Sequence, residues 1–184
     1  MKEVEIIEYF RTLATNLTLI SHKEKDGLRR FASSFAEAKV GIKNKINFLH
    51  HGIFLDFGQG RYEQNGAEAQ FKYTPLSICI VKTCKPDDFA AQNAALSHAC
   101  IIWEKLLSKL YKDRNQYPIA GVFFLKDNIP FDYVRGEFLE NCYGIIAQLT
   151  IQNSVDYRYK EEDWTGGQEE DNGVFEDLFS DLFE

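Results

Sequence analysis

Seven side chains that could ligate a metal or act as nucleophile or base lie between residues 50 and 142: His50, His51, Cys79, Cys84, His98, Cys100 and Cys142. His50 and His51 are neighbours in a stretch expected to be extended. Consecutive side chains of a strand point to opposite faces, so one metal cannot take both. Cys79, Cys84, His98 and Cys100 supply the inventory of a zinc site without its spacing. No Cys-x-x-Cys pair is present, and residues two apart on a helix are separated by about 200°, which sends His98 and Cys100 to different sides. A Cys–His nucleophile needs a third group to orient the imidazole, and nothing singles out one of the four thiols for that part. Gly58-Gln59-Gly60-Arg61 lacks the Gly-Lys-Ser/Thr ending of a phosphate loop and closes a strand instead of opening a helix. It reads as part of a long hairpin tip, Gly58 to Gly66. Asp56 and Glu68 lack the lysine motif and the paired spacing of a metal nuclease. No catalytic residue, metal ligand or cofactor is therefore expected, and the thiols read as free and buried.

Charge is more informative. From Glu161 onward there are ten acidic residues and no Lys or Arg, whereas residues 1–160 hold all 21 basic residues and the other 18 acids. The body is thus weakly basic and the acidity belongs to the tail. This divides the chain into one α+β domain at 1–160 and an acidic linker with a docking segment at 161–184. No apolar run approaches the roughly 18 residues of a membrane helix, and acids stand where a signal peptide carries bases. Neither membrane insertion nor secretion is expected.

The elements follow from periodicity. Val4, Ile7, Phe10, Leu13, Leu17 and Ile20 recur at helical spacing over residues 3–20. A basic stretch from His22 to Lys45 follows, with Leu28, Phe31, Phe35 and Ala38 lining a short second helix between Gly27 and Gly41. Strands are expected over Phe48–Phe57 and Gln70–Thr83, the latter central because both its faces are apolar. Pro86, Asp87 and Asp88 open a long helix reaching Arg114, with Phe89, Leu96, Cys100, Trp103, Leu107 and Leu110 on one side. Two more strands are expected over 119–126 and Tyr143–Asn153, with residues 131–141 as a looser return. The order α-α-β-β-α-β-β predicts a mainly antiparallel four-stranded sheet with helices on one face, the other face meeting solvent or a neighbouring subunit.

The tail is the most distinctive feature. Phe175, Leu178, Phe179, Leu182 and Phe183 stand at i, i+3, i+4, i+7 and i+8, so as a helix they form an apolar stripe backed by acids. Such a helix is too short to hold in water and would fold on a surface that buries those rings. These five residues are the expected partner-binding site. Arg29, Arg30, Lys39, Lys43 and Lys45 are a candidate basic surface to accept the acidic segment. Nucleic acid is not expected as a partner, since the whole chain is acidic.

The long helix from Pro86 between two strand pairs, followed by Phe138-Leu139-Glu140-Asn141-Cys142-Tyr143-Gly144 running into an alternating strand, resembles the tail-terminator and neck proteins of tailed bacteriophages over residues 3–155. The resemblance implies an antiparallel sheet packed by helices and a non-enzymatic subunit. It also implies assembly as a homo-oligomeric ring, contacts with neighbouring virion proteins, and a place in the virion or the host cytoplasm. The acidic tail is not part of that likeness. An adaptor presenting residues 175–183 to a partner's groove is the alternative reading, and an enzyme the third.

Overall fold

A computed structural model describes residues 3–25, 28–38, 48–65, 69–113, 122–125, 129–136 and 141–155. The protein is α+β: helices α1 (Glu3–Asn16) and α2 (Phe89–Asp113) with strands β1 (Phe31–Ala32), β2 (Gly52–Phe57), β3 (Arg61–Asn65), β4 (Ala69–Thr83), β5 (Val122–Leu125), β6 (Phe131–Arg135) and β7 (Cys142–Val155). Its sheet is built on two long central strands. β4 and β7 pair antiparallel over 14 residue pairs, from Gln70 with Val155 to Thr83 with Cys142. β2 and β3 run along the outer side of β4, and β5 and β6 along the outer side of β7, all antiparallel. β1 adds to β2 in parallel.

Both lanes beside the central pair are broken, and the one along β4 has a physical reason. Phe57 pairs with Leu76 and Arg61 with Tyr73, so Gly58, Gln59 and Gly60 lie against only Thr74 and Pro75. Pro75 has no N–H, and its carbonyl already accepts from Gly58 N–H at 2.9 Å on that side. A proline inside a long strand is accommodated where the neighbouring strand bulges, and here one extra residue makes the bulge. Gly58 to Gly60 is therefore a strand break and not the hairpin tip expected from the sequence; residues 66–68, the rest of the expected tip, lie outside the described residues. On the other side the looser return contains the true strand β6. These breaks and the short β1 turn the expected four strands into seven among the described residues.

The helices share one face of the sheet. Ile53 and Leu55 of β2, Leu76, Ile78 and Ile80 of β4, and Ile145, Ala147, Leu149 and Ile151 of β7 form the core with Ile6, Phe10 and Leu13 of α1 and Ile102, Trp103 and Leu106 of α2. These are alternate residues of each strand, as the period of two requires. The opposite face is not left wholly to solvent. Phe54, Cys79, Val81, Val134 and Cys142 are capped there by Ala32, Ala38 and Phe48.

Three helix expectations need correction. On α1 the buried residues are Ile6, Tyr9, Phe10, Leu13 and Ala14, whereas Val4 is 67% exposed. The stripe is rotated toward Tyr9 because its hydroxyl donates to buried Asp113 of α2 at 2.9 Å. α2 starts later than expected. Asp88 is its N-cap, its carboxylate accepting from Ala91 N–H at 2.9 Å. Its buried face runs through Gln92, Ala95, Ala99, Ile102, Leu106 and Leu110, and Phe89 is 71% exposed. Small Ala95 and Ala99 bring the helix close to the sheet, which a search for large apolar residues overlooks. Of the expected second helix, residues 35–38 are helical among the described residues, and residues 39–41 lie outside them. Phe31 and Ala32 become strand instead, because Arg30's carbonyl accepts from Ile53 N–H at 2.9 Å and Phe31 is buried.

Candidate interaction surface

Among the described residues β6 is one of the outermost strands of the sheet, paired with β7 alone. Pro130's carbonyl accepts from Gln148 N–H at 3.0 Å, and Gly136 N–H donates to Cys142's carbonyl at 2.8 Å. Backbone groups alternate sides along an antiparallel strand, so those of residues 130, 132, 134 and 136 face β7 and those of Phe131, Tyr133 and Arg135 face outward. No strand among the described residues takes up these outward groups. The same residues carry the exposed rings. Phe131 is 47% and Tyr133 51% exposed, their rings meet edge to face at 5.8 Å, and the Arg135 guanidinium sits 5.7 Å from the Tyr133 ring centre. An unpaired edge with apolar side chains is a template for another chain. Pro130 and Gly136 bound the stretch, so it can hold one short pairing.

A second feature lies on the helical side. Between the C-terminal end of α1 and the C-terminal half of α2 is a cleft of about 180 Å³ lined by Leu13, Asn16, Leu17, Lys105, Leu106 and Lys109. Its floor is leucine and its rim carries two ammonium groups. Lys109 pairs with Asp113, the carboxylate that also receives the Tyr9 hydroxyl. Lys105 has no carboxylate partner among the described residues.

The histidines and cysteines fall into different surroundings. His50 and His51 precede β2 and do not lie in it. His51 is buried, its Nε2–H donating to Ala95's carbonyl at 3.1 Å, with the His98 ring 5.9 Å away. Burial first, then the positive charge of Lys82 and the neighbouring imidazoles of His98 and His50, hold its pKa below the ordinary 6.5, against the hydrogen bond to Ala95. The folded chain therefore keeps His51 neutral while the unfolded chain protonates it below about pH 6.5. Its contribution to stability is complete above that pH and drains as pH falls through the folded value. The slope from this one group reaches at most about 1.4 kcal/mol per pH unit. Chemical denaturation between pH 7 and 5 should show it, and His51→Gln, which can still donate to Ala95, should flatten the profile.

All four cysteines are free. Burial raises the pKa of Cys79 well above the ordinary thiol value and also raises those of Cys84 and Cys142. Three of the four are thus held as thiols, the weak form for nucleophilic attack. Cys79 belongs to the cluster on the sheet face away from α2, so the sheet itself separates it from His98 and Cys100. Among the described residues no three His, Cys, Asp or Glu side chains gather around a common point. No helix among them is long and apolar enough to cross a membrane.

Phe175, Leu178, Phe179, Leu182 and Phe183 lie outside the described residues, as do Lys39, Lys43 and Lys45. The two arginines of the candidate basic surface are engaged within the fold. Arg29 pairs with Glu37 at 2.6 Å and with Glu24 at 3.5 Å, and Arg30 donates to Ile20's carbonyl. Burial would raise the pKa of Glu37, but the hydroxyl and N–H of Ser33 together with Arg29 hold it below the ordinary value, as a carboxylate that keeps Arg29 occupied. Sequence reading missed Phe131, Tyr133, Lys105 and Lys109. The first pair had a signal, since Phe131-Asp132-Tyr133-Val134-Arg135 alternates directly after a proline.

The fold is an α+β sheet whose β6 edge is taken up by no strand among the described residues. No protein-family model matches the sequence, and no curated protein matches it.

Proposed function

We propose that the protein is a non-enzymatic assembly subunit whose contact with other copies of itself is made along β6. The observation that carries this reading is the coincidence, on one strand, of outward backbone groups and two half-exposed aromatic rings at Phe131 and Tyr133. Strand addition supplies hydrogen bonds from the backbone, and the rings supply the apolar burial that makes the pairing stable. A second copy is the natural occupant because the outer lane on the other side of the sheet ends in β3, whose side chains from Arg61 to Gln64 are all exposed. An edge-to-edge contact between unlike surfaces propagates, and it closes into a ring when the rotation between copies allows. The finer reading is the ring subunit of a phage tail terminator or neck, with residues 175–183 as a further docking element. What supports it is the order of elements and the sequence likeness described above.

Sedimentation over a hundredfold range of concentration tests the assembly reading. The expected result is a particle of several chain masses that persists on dilution. A single-chain mass at every concentration overturns it.

A further inference from the structure

We propose that β6 of one copy pairs antiparallel with β3 of the next, with Phe131 opposite Tyr62 and Asp132 opposite Arg61. This rests on reading β6 as an interface between copies, and it names the strand that β6 meets.

Direction comes first. β3 and β7 both run antiparallel to β4, and β6 runs antiparallel to β7, so β3 and β6 point in opposite directions within one subunit. A rotation that sets the next copy alongside with its strands pointing the same way brings the two together as an antiparallel pair. β2, in the same lane as β3, already carries β1, whereas no strand among the described residues lies outside β3.

Backbone alignment is the second argument. Pro75's carbonyl accepts from Gly58 N–H, so the odd-numbered residues of β4 turn their backbone groups toward the lane of β2 and β3. Tyr73 and Phe71 therefore face Arg61 and Glu63, and the groups of Tyr62 and Gln64 point outward. On β6 the outward groups are those of Phe131, Tyr133 and Arg135. Hydrogen bonds form only where a residue of one set stands opposite a residue of the other.

Side chains then choose the register. Phe131 pairs with Ala147 in its own chain and Tyr62 with Lys72, both on the helical face by alternation, so opposite each other the two rings meet there. Asp132 comes opposite Arg61 on the other face, at a position without hydrogen bonds between the pair, where side chains stand closer. Both are exposed in the lone subunit. Tyr133 falls beside Gly60, which has no side chain to obstruct the ring. Sliding β3 until Tyr62 meets Tyr133 sets Asp132 against Glu63, two like charges. One step further leaves Asp132 opposite Asn65 and Phe131 beyond the strand. A two-fold pairing of β6 with itself about Tyr133 sets Asp132 against Val134 and matches no opposite charges.

The same register has a consequence for shape. Lys72 pairs with Asn153, six residues beyond Ala147 on β7, so each copy steps roughly 20 Å along the strands over a width of roughly 19 Å for four strands. The strands of a closed ring then lean about 45° to its axis, as those of closed barrels do.

Charge reversal in the full-length protein, read by sedimentation, tests the pairing. Asp132→Arg and Arg61→Asp should each weaken self-association about three- to tenfold, and the double variant should return to within about twofold of the native chain. Circular dichroism checks that each variant is folded, as exposed positions allow. Single variants that associate like the native chain, or a double variant no better than the singles, overturn the pairing with β3. If Phe131→Ser/Tyr133→Ser still weakens association in that event, β6 is an interface with a different strand. If that variant also leaves association unchanged, or the native chain has a single-chain mass at every concentration, the reading of β6 falls as well.

Discussion

Gly144→Ala should destabilise the protein by about 3 kcal/mol or more, placing it in the far tail of single substitutions. A Cβ at this position would stand 1.9 Å from the carbonyl oxygen of Ile80, and 2.9 Å from both the Ile80 carbonyl carbon and the Val81 Cα. Those atoms are backbone of the central strand, so no side chain can swing aside to relieve the overlap. Gly144 pairs with Val81 in the β4–β7 ladder, and separating the strands there would disturb the core on the helical face at Ile80 and Ile145. For a chain of this length each kcal/mol lowers the melting temperature by about 2–4 °C, so a fall of about 10 °C is expected in thermal unfolding. Gly58→Ala is the control: its Cβ would meet Pro75 Cβ at 3.2 Å, a contact the bulge can absorb. Equal melting temperatures for the Gly144 variant and the native chain would mean that β4 and β7 do not approach as described.

The second large effect concerns assembly. Phe131→Ser combined with Tyr133→Ser should weaken self-association about 30- to 150-fold without unfolding the chain. Each ring is about half exposed in the lone subunit, so a partner strand recovers roughly half of a full aromatic burial, about 1–1.5 kcal/mol apiece. Two rings then supply about 2–3 kcal/mol, which converts to that change in dissociation constant. Their exposure also spares the fold, and the far-ultraviolet circular dichroism should be unchanged. Phe89→Ser provides the comparison. That ring is 71% exposed at the start of α2 and belongs to no sheet edge, so its removal should leave association as it was.

How far the sequence disclosed this molecule depends on which residues carried a periodic signal. The α+β class, the central place of β4, the alternation of Ile145, Ala147, Leu149 and Ile151, and the long helix ending near Asp113 were all legible, because each has several apolar residues at one period. The breaks were not. Nothing local to Gly58-Gln59-Gly60 reveals that Pro75, on another strand, lacks the N–H that an unbroken partner would need. Likewise the rotation of α1 toward Tyr9 depends on a carboxylate more than a hundred residues away. The cleft brings Leu17 and Lys105 together only after both helices have packed, so no spacing in the chain could announce it. Phe131 and Tyr133 did carry a two-residue period, but five residues between a proline and a glycine are easily read as a loop.

The central claim is that β6 is an interface, and residue-resolved hydrogen exchange tests it most directly. In the assembled protein the amides of Phe131, Tyr133 and Arg135 should be protected alongside the inward amides of Asp132 and Val134, and should lose that protection in the Phe131→Ser/Tyr133→Ser variant while Asp132 and Val134 keep theirs. Free exchange at residues 131, 133 and 135 in a particle of full mass would contradict the claim, since the copies would then be held together elsewhere.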